Sequence, residues 1–432
     1  MKLAPLTPIP TPTLPLKGRA TTDAPCSSPF KGEAGRGMGN VFHVKIIHRH
    51  LSHEFLTQLD EYPIVTVLGP RQSGKTTLVR TLLPDYRYVN LEDPDIRHFA
   101  IHDPKAFLLE YDTKVIFDEV QRVPELLSYL QVKVDVNRNN GQFVLTGSHQ
   151  LSLRAAVSQS LAGRTGILYL LPFSIDELTA ATIKFDNYET YLFQGFLPRI
   201  YDQKQRPHIA YANYYQTYVE RDVRQLTNIK DTAIFEKFMR LLAGRTGQIM
   251  NYQSLAGDVG VDGKTIKHWL SILEASFIVF PLQPYFNNFG KRVIKSPKYY
   301  FMDTGLLCYL LGIEKKEQVL RDPLLGSLFE NLIILEVLKS RYHAGRTPNL
   351  YFYRDNHGHE IDLLYVAGNE LTGIEIKSAS TWHDSFAKNL LHFSKSNTDL
   401  KRSIVVYSGN ARTFSSGLLA CPFDAVKPLI FG

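Results

Sequence analysis

The chain has 432 residues, of which 44% are hydrophobic and 12% aromatic, enough to fill more than one core and to exclude wholesale disorder. Its formal net charge of +7 is mild for this length and is compatible with an anionic partner such as DNA without demanding one. The cysteines Cys26, Cys308 and Cys421 are far apart and form no C-x-x-C pair, which argues against a zinc ribbon or a disulfide framework and for a reducing cytoplasm, and no apolar run approaches the ~18 residues of a membrane helix.

Residues 1–40 are broken by prolines from Pro5 to Pro29 and then by Gly32, Gly35, Gly37 and Gly39, so they predict a disordered tail and mark Met38 as an alternative start. Order is expected from Lys45, where Ile46, Ile47, Leu51, Phe55 and Leu59 have helical spacing. Strands follow at 64–68, 86–91, 115–117 and 142–145, separated by helices at 78–83 and 126–136. This alternation predicts βαβ units and a mostly parallel sheet over residues 45–180. Residues 187–245 read as helical, with Tyr211, Tyr214, Tyr215, Tyr218 and Val219 forming an aromatic stripe. A second α/β unit is expected over 315–432, with a long helix from Leu325 and strands at 350–354, 361–366 and 371–376.

Gly69, Pro70, Arg71, Gln72, Ser73, Gly74, Lys75, Thr76 and Thr77 lie between a strand and a helix and fit G-x-x-x-x-G-K-[ST]. Glycines let the backbone wrap a phosphate with its N–H groups inward, and the following helix aims its positive end at the same anion. Lys75 is placed to reach the β- and γ-phosphates of ATP, and the Thr76 hydroxyl to hold Mg²⁺. Asp118 and Glu119 close the apolar strand Val115–Phe117, at the strand end where parallel sheets hold ligands. Asp118 is the expected partner of the metal, and Glu119 the general base for water. Thr146-Gly147-Ser148 ends the next strand; its Thr146 hydroxyl either positions that water or belongs to an ordinary turn. Arg164 is either an arginine finger reaching a neighbouring copy in a homo-oligomer or a plain surface residue.

The run Gly69 to Thr77, the pair Asp118-Glu119, Leu145-Thr-Gly-Ser148, Ser160-Leu-Ala-Gly-Arg164, Tyr218-Val-Glu-Arg-Asp222 and the segment Leu306–Leu311 together resemble a family of archaeal and bacterial AAA+-type ATPases. Members carry a C-terminal domain of unknown function related to the PD-(D/E)XK nucleases. The resemblance spans about residues 45–432 and implies ATP binding, ATP hydrolysis and a cytoplasmic location.

Within 187–300, residues 252–258 and 263–275 have the spacing of a helix-turn-helix, with Gly260 at the turn and Ile266, Trp269 and Leu270 facing the core. Lys264, Lys267 and His268 then fall on the second helix, where a DNA reader carries its contacts, and Lys291, Arg292, Lys295 and Lys298 follow as a wing. The same helices can equally serve as a packing module. In the last unit, Glu330, Asp362, Glu375 and Lys377 match the PD-(D/E)XK arrangement, except that Ile361 stands where the motif has proline. Residues two apart on a strand share a face, so Glu375 and Lys377 point together. Asp362 and Glu375 are candidate Mg²⁺ ligands that Glu330 can complete, and Lys377 a candidate to orient or deprotonate water. The fold expected is therefore α/β throughout: a P-loop parallel-sheet ATPase domain, a helical and winged-helix middle, and a restriction-endonuclease-like α/β end. The function expected is an Mg²⁺-dependent ATPase in a nucleic-acid transaction; the alternative is an ATP-switched scaffold whose last domain only binds a partner.

Overall fold

A computed structural model describes residues 46–148, 160–224, 231–285 and 296–431. The proline-rich tail and Lys291, Arg292 and Lys295, expected as part of a wing, lie outside the described residues.

Strands β1 (Ile64–Leu68), β2 (Arg87–Asn90), β3 (Val115–Asp118), β4 (Phe143–Gly147) and β5 (Thr165–Tyr169) form a parallel sheet in the order β2-β3-β4-β1-β5. Every residue of β1, β3 and β4 is buried, which is why these segments read as unbroken apolar runs rather than as alternation. Helices α1 (Leu51–Glu61) and α2 (Lys75–Leu82) set Leu51, Phe55, Leu78 and Val79 against Val65, Val67, Ile116 and Val144 on one face. On the other face, α3 (Leu126–Val136) packs Leu126, Leu127 and Leu130 into the core that holds Ile64, Phe117 and Leu145. The first helix starts at Leu51 and not at Ile46, which is 56% exposed. Strand β5, which hydropathy did not reveal, is a half-buried edge beside β1.

After the short helix α4 (Ile175–Ala180), the aromatic stripe is buried, running from an α-helix at Pro207–Tyr214 into a π-helical stretch at Tyr215–Val223. Helices α5 (Tyr252–Val259) and α6 (Gly263–Ala275) are joined through Gly260, whose φ of 95° is left-handed. Asp262 caps α6 by accepting the backbone N–H groups of Lys264 and Thr265, both at 2.8 Å. Ile266, Trp269 and Leu270 are buried, while Lys264, Lys267 and His268 are exposed.

The antiparallel pair β6 (Val279–Pro284) and β7 (Lys298–Phe301) continues into the last sheet. With β8 (Leu350–Arg354), β9 (Glu360–Ala367), β10 (Glu370–Lys377), β11 (Leu400–Tyr407), β12 (Arg412–Thr413) and β13 (Leu419–Pro422), it makes a mixed eight-stranded sheet ordered β12-β13-β11-β10-β9-β8-β6-β7. Because β6 pairs in parallel with β8, the sheet crosses the boundary expected between residues 300 and 315. Helix α7 (Leu325–His343) lies over one face of this sheet, α8 (Lys388–Ser396) over the other, and α9 (Val426–Phe431) closes the chain. α7 also binds the first half of the chain: the buried Lys339 Nζ donates to the Phe173 carbonyl at 2.7 Å, and Glu336 accepts the Ile175 N–H at 2.9 Å.

Candidate functional site

The carboxyl ends of β1, β3 and β4 bring the first candidate site together. Gly69 leaves β1 so close to the neighbouring chain that a Cβ there would sit 2.1 Å from the Leu170 carbonyl oxygen. Gly74 has φ 92° and caps α2, so the loop needs glycine at both ends for steric reasons. Lys75 is buried, and its Nζ donates to the carbonyls of Gly69 and Pro70, both at 2.9 Å. Burial pushes this ammonium below its ordinary pKa, while Glu119 and Asp118 pull it back up. The Ser73 side-chain oxygen is buried without a hydrogen-bond partner among the described residues. A narrow cradle, a buried cation and an orphaned hydroxyl at the start of a helix fit a phosphate chain.

Asp118 is 5% exposed and, among the described residues, accepts its side-chain hydrogen bonds from hydroxyls. Thr76 donates to its Oδ2 at 2.8 Å, Tyr88 donates to the same oxygen at 2.6 Å, and Thr146 donates to Oδ1. Burial and the bond to Asp118 drive the Tyr88 hydroxyl above its usual range, so it stays a donor. Glu119 has left-handed backbone angles, φ 55° and ψ 46°, an uncommon conformation for a side chain of this size. That turn directs its carboxylate to Ser148 Oγ at 2.9 Å and to the Gln121 amide, while its N–H meets Thr146 Oγ1 at 3.3 Å. A threonine hydroxyl and an aspartate oxygen in contact are the hard oxygen donors that suit Mg²⁺.

The remaining residues of the loop have separate duties. Arg71 leans over the Tyr218 ring, 5.6 Å from its centroid, and reaches Glu92 at 3.3 Å. Gln72 takes φ 63°, Pro70 is buried, and Thr77 is exposed on α2. Arg164 forms a two-pronged ion pair with Asp135 at 2.6 and 2.8 Å on the surface. Arg49, which sequence reasoning missed, is buried and spans three elements. It donates to the Ser73 carbonyl at 2.7 Å, to the Leu171 carbonyl at 2.6 Å and to Glu177 at 3.0 Å. Burial opposes the charge of Glu177, but Arg49, His343 and two backbone N–H groups hold its carboxyl well below the usual range. His343, at the end of α7, lies 3.6 Å from that carboxylate, and burial pushes it down to about 3. The phosphate loop and α7 are thus linked by three successive contacts, Ser73 to Arg49, Arg49 to Glu177 and Glu177 to His343.

The second candidate site sits where β7, β9, β10 and α7 meet. Lys377 Nζ donates to Glu375 at 2.6 Å and to Asp362 at 3.0 Å, and Asp362 also accepts the Ile376 N–H at 2.8 Å. Glu375 is 1% exposed, and its second oxygen has no partner among the described residues. Burial and the neighbouring Asp362 raise its pKa above the carboxylate range, with Lys377 opposing. Glu330 is raised likewise by burial and by Asp362, against Lys298. Tyr300 donates to Glu330 at 2.5 Å.

Lys298 overturns an expectation. Read as part of an exposed wing, it is 2% exposed and pairs with Glu330 at 3.3 Å and with Glu360 at 2.5 Å. β7 carries it into the sheet beside the carboxylates, a placement that strand pairing alone determines. Burial would lower both lysines, but Glu330 and Glu360 at Lys298, and Asp362 and Glu375 at Lys377, hold them above the ordinary value. Of the residues missed, Gln121 and Ser148 lie beside residues already singled out, whereas Tyr88, Lys298, Tyr300 and Glu360 are visible only through register.

Residues 61–179 match the family described as AAA domain, residues 185–317 a domain of unknown function (DUF8612), and residues 325–425 another (DUF4143). With the parallel sheet and its loop, the first match defines an AAA-type P-loop ATPase domain followed by a mixed-sheet domain. The chain is 30% identical over 374 residues to uncharacterized protein Rv2008c of Mycobacterium tuberculosis and equally to Mb2031c of Mycobacterium bovis, covering 85% of this chain and 82% of each relative. It belongs to the family of these mycobacterial proteins. Uncharacterized protein MJ1637 of Methanocaldococcus jannaschii is 22% identical over 327 residues, 63% of this chain and 67% of that one. A Walker-type ATPase structure from Pyrococcus abyssi is similar at 16% identity and a TM-score of 0.42, covering 62% of this chain and 97% of that one. No helix among the described residues is long and apolar enough to cross a membrane.

Proposed function

We propose that the protein is an Mg²⁺-dependent ATPase that works in a nucleic-acid transaction. The observation that carries the ATPase reading is the 2.8 Å bond from the Thr76 hydroxyl to Asp118, which joins the phosphate loop to the acidic strand end. In this reading Lys75 leaves its two loop carbonyls for the phosphate oxygens, and the N–H groups at the start of α2 receive the remaining charge. Thr76 and Asp118 hold Mg²⁺, which when bound neutralises charge on the phosphates. Glu119, turned by its left-handed backbone and steadied by Ser148 and Gln121, accepts the proton of water. Thr146 fixes the spacing of the two acids by bonding both Asp118 and the Glu119 N–H. Arg164 serves a neighbouring copy only by leaving Asp135.

Lys75→Ala is expected to abolish measurable ATP binding. Glu119→Gln is expected to keep binding and to slow turnover by about 10²–10⁴-fold, the usual worth of a general base. Wild-type turnover in Glu119→Gln would refute the water-activating role. The exposed Lys264 and Lys267 on α6 support contact with DNA phosphates, so the ATPase rate measured with and without duplex and single-stranded DNA at two salt concentrations tests the coupling. In the last domain, the orphaned oxygen of Glu375 beside Asp362 supports a divalent-cation site, and phosphodiester cleavage is the chemistry such a site offers.

A second reading has its own support. Each of the four carboxylates Glu330, Glu360, Asp362 and Glu375 already meets a lysine, Lys298 or Lys377, as in a domain that grips a partner and cuts nothing. Mg²⁺ or Mn²⁺ at ~20 mM should raise the melting temperature of the full chain if the site binds metal even at millimolar affinity, and Asp362→Ala should remove that rise. Metal binding with strand cleavage favours the nuclease, and no metal effect favours the scaffold.

A further inference from the structure

The buried lysines and arginines among the described residues are Arg49, Lys75, Lys298, Lys339 and Arg341. Arg49, Lys298 and Lys339 each meet a carboxylate. Two do not. One is Lys75, in the phosphate loop. The other is Arg341, near the end of α7, 6% exposed, which forms no ion pair among the described residues. Among the described residues its guanidinium donates to neutral oxygens, the Thr347 carbonyl at 3.0 Å and the Tyr365 hydroxyl at 2.9 Å. A buried charge is ordinarily paired, because its lost hydration is otherwise uncompensated. Burial lowers the Arg341 pKa, the Tyr365 hydroxyl opposes, and the charge of Arg346 lowers it further.

Arg341 lines a cavity of about 380 Å³ between the end of α7 and the first residues of β10 and β11. That volume is within the range of small-ligand pockets. Arg346, Lys401 and Arg402 line it as well, against a single acid, Glu370, which is exposed at the rim. Arg341, Arg346 and Lys401 alone outnumber the single lining carboxylate, which leaves the mouth of this partly enclosed space positive. Thr372 adds a hydroxyl, and the rings of Tyr365 and Phe431 flank the guanidinium at 5.0 and 5.7 Å, giving an apolar wall beside the charged floor. The cavity lies at the far end of the sheet from the carboxylates. Thr372 and Lys377 are five residues apart on β10, about 17 Å at the rise of an extended strand. It is separate from both sites described above.

We propose that this cavity binds a phosphoryl group, with Arg341 and Arg346 as its principal donors. Phosphate fits better than a lone carboxylate because it offers several oxygens to converging donors and enough negative charge to offset the excess. The phosphoryl group comes either from a small organic phosphate, whose remainder lies against Tyr365 and Phe431, or from a nucleic-acid backbone crossing the opening. The inference does not depend on the ATPase reading, since it uses none of the residues of the phosphate loop.

The test uses the full chain carrying Lys75→Ala, so that the phosphate loop adds no signal. Inorganic phosphate, glucose 6-phosphate and a 20-nucleotide single strand are titrated by calorimetry at constant ionic strength, with chloride as the control anion. Phosphate is expected to bind, and Arg346→Ala is expected to weaken it about tenfold, the usual consequence of losing one charge-assisted hydrogen bond. Arg341→Lys should weaken it comparably, because lysine cannot keep the forked geometry. Should Arg341→Lys fail to fold, Arg346→Ala and Lys401→Ala, both at exposed positions, carry the test. Tighter binding of the sugar phosphate identifies a small ligand; tighter binding of the oligonucleotide, sensitive to Arg346→Ala, identifies a nucleic acid. Phosphate that binds no better than chloride, or binds equally to wild type and the folded variants, overturns the proposal.

Discussion

Asp118 and Glu375 are both almost wholly buried carboxylates on strand ends, yet their surroundings differ in kind. Three neutral hydroxyls, from Thr76, Tyr88 and Thr146, hold Asp118. An ammonium group holds Glu375, and a second ammonium, Lys298, serves Glu330 and Glu360 a strand away. Hydroxyls can turn from donating to accepting, so the first site can admit a cation with little change beyond rotation of O–H bonds. In the second, each carboxylate already meets a lysine, and a divalent ion there must displace or share with that lysine. The first set of acids is met only by hydroxyls that can rotate, whereas the second is tied to two lysines and keeps one unpartnered oxygen on Glu375 among the described residues.

The largest effect on stability should come from breaking those lysine–carboxylate pairs. Lys298→Met leaves Glu330 and Glu360 without their shared cation, and unpairing a buried charge costs about 3–5 kcal/mol. The denaturant midpoint should fall accordingly; a loss below ~1 kcal/mol would mean that Lys298 does not balance the cluster. A smaller loss, about 1–3 kcal/mol, is expected for Thr146→Val, which removes one hydrogen bond to a buried carboxylate. Its ATP turnover should fall as well, whereas a purely structural threonine would lower the midpoint and spare the rate.

Smaller again is the pH-dependent effect of Glu375→Gln. A carboxyl with a raised folded-state pKa favours the folded state while it is protonated in both states, below its unfolded value, and loses that advantage as pH rises through the folded value. The glutamine variant should therefore match wild type near pH 4 and melt higher by about 1–3 °C at pH 9. No gain at high pH would show that Lys377 fully compensates the charge. The smallest change in stability, within about 0.5 kcal/mol, is expected for Lys264→Glu with Lys267→Glu on the exposed face of α6. If these residues touch DNA, each lost phosphate contact should flatten the log–log salt dependence of binding by about one unit. An unchanged slope would leave α5 and α6 as a packing module.

The amino-acid sequence by itself determined what depends on neighbours along the chain. The phosphate loop, the strand ending in Asp118-Glu119, the turn at Gly260 and the pair Glu375-Lys377 are each read within a few residues, because steric demands on glycine and the two-residue period of a strand act locally. What only the tertiary structure decided is which strands lie side by side. Tyr88 reaches Asp118 because β2 pairs with β3 in a register that sets Asn90 opposite Asp118. Lys298 enters the carboxylate cluster because β7 pairs with β6, and β6 with β8, whereas the run of basic residues ending in Lys298 read as a wing. Arg49 joins the phosphate loop to Glu177 across 128 positions of sequence. Pairing of distant strands is set by the burial of whole faces and not by any local preference, so the partners of these buried charges emerge only when the sheets are assembled.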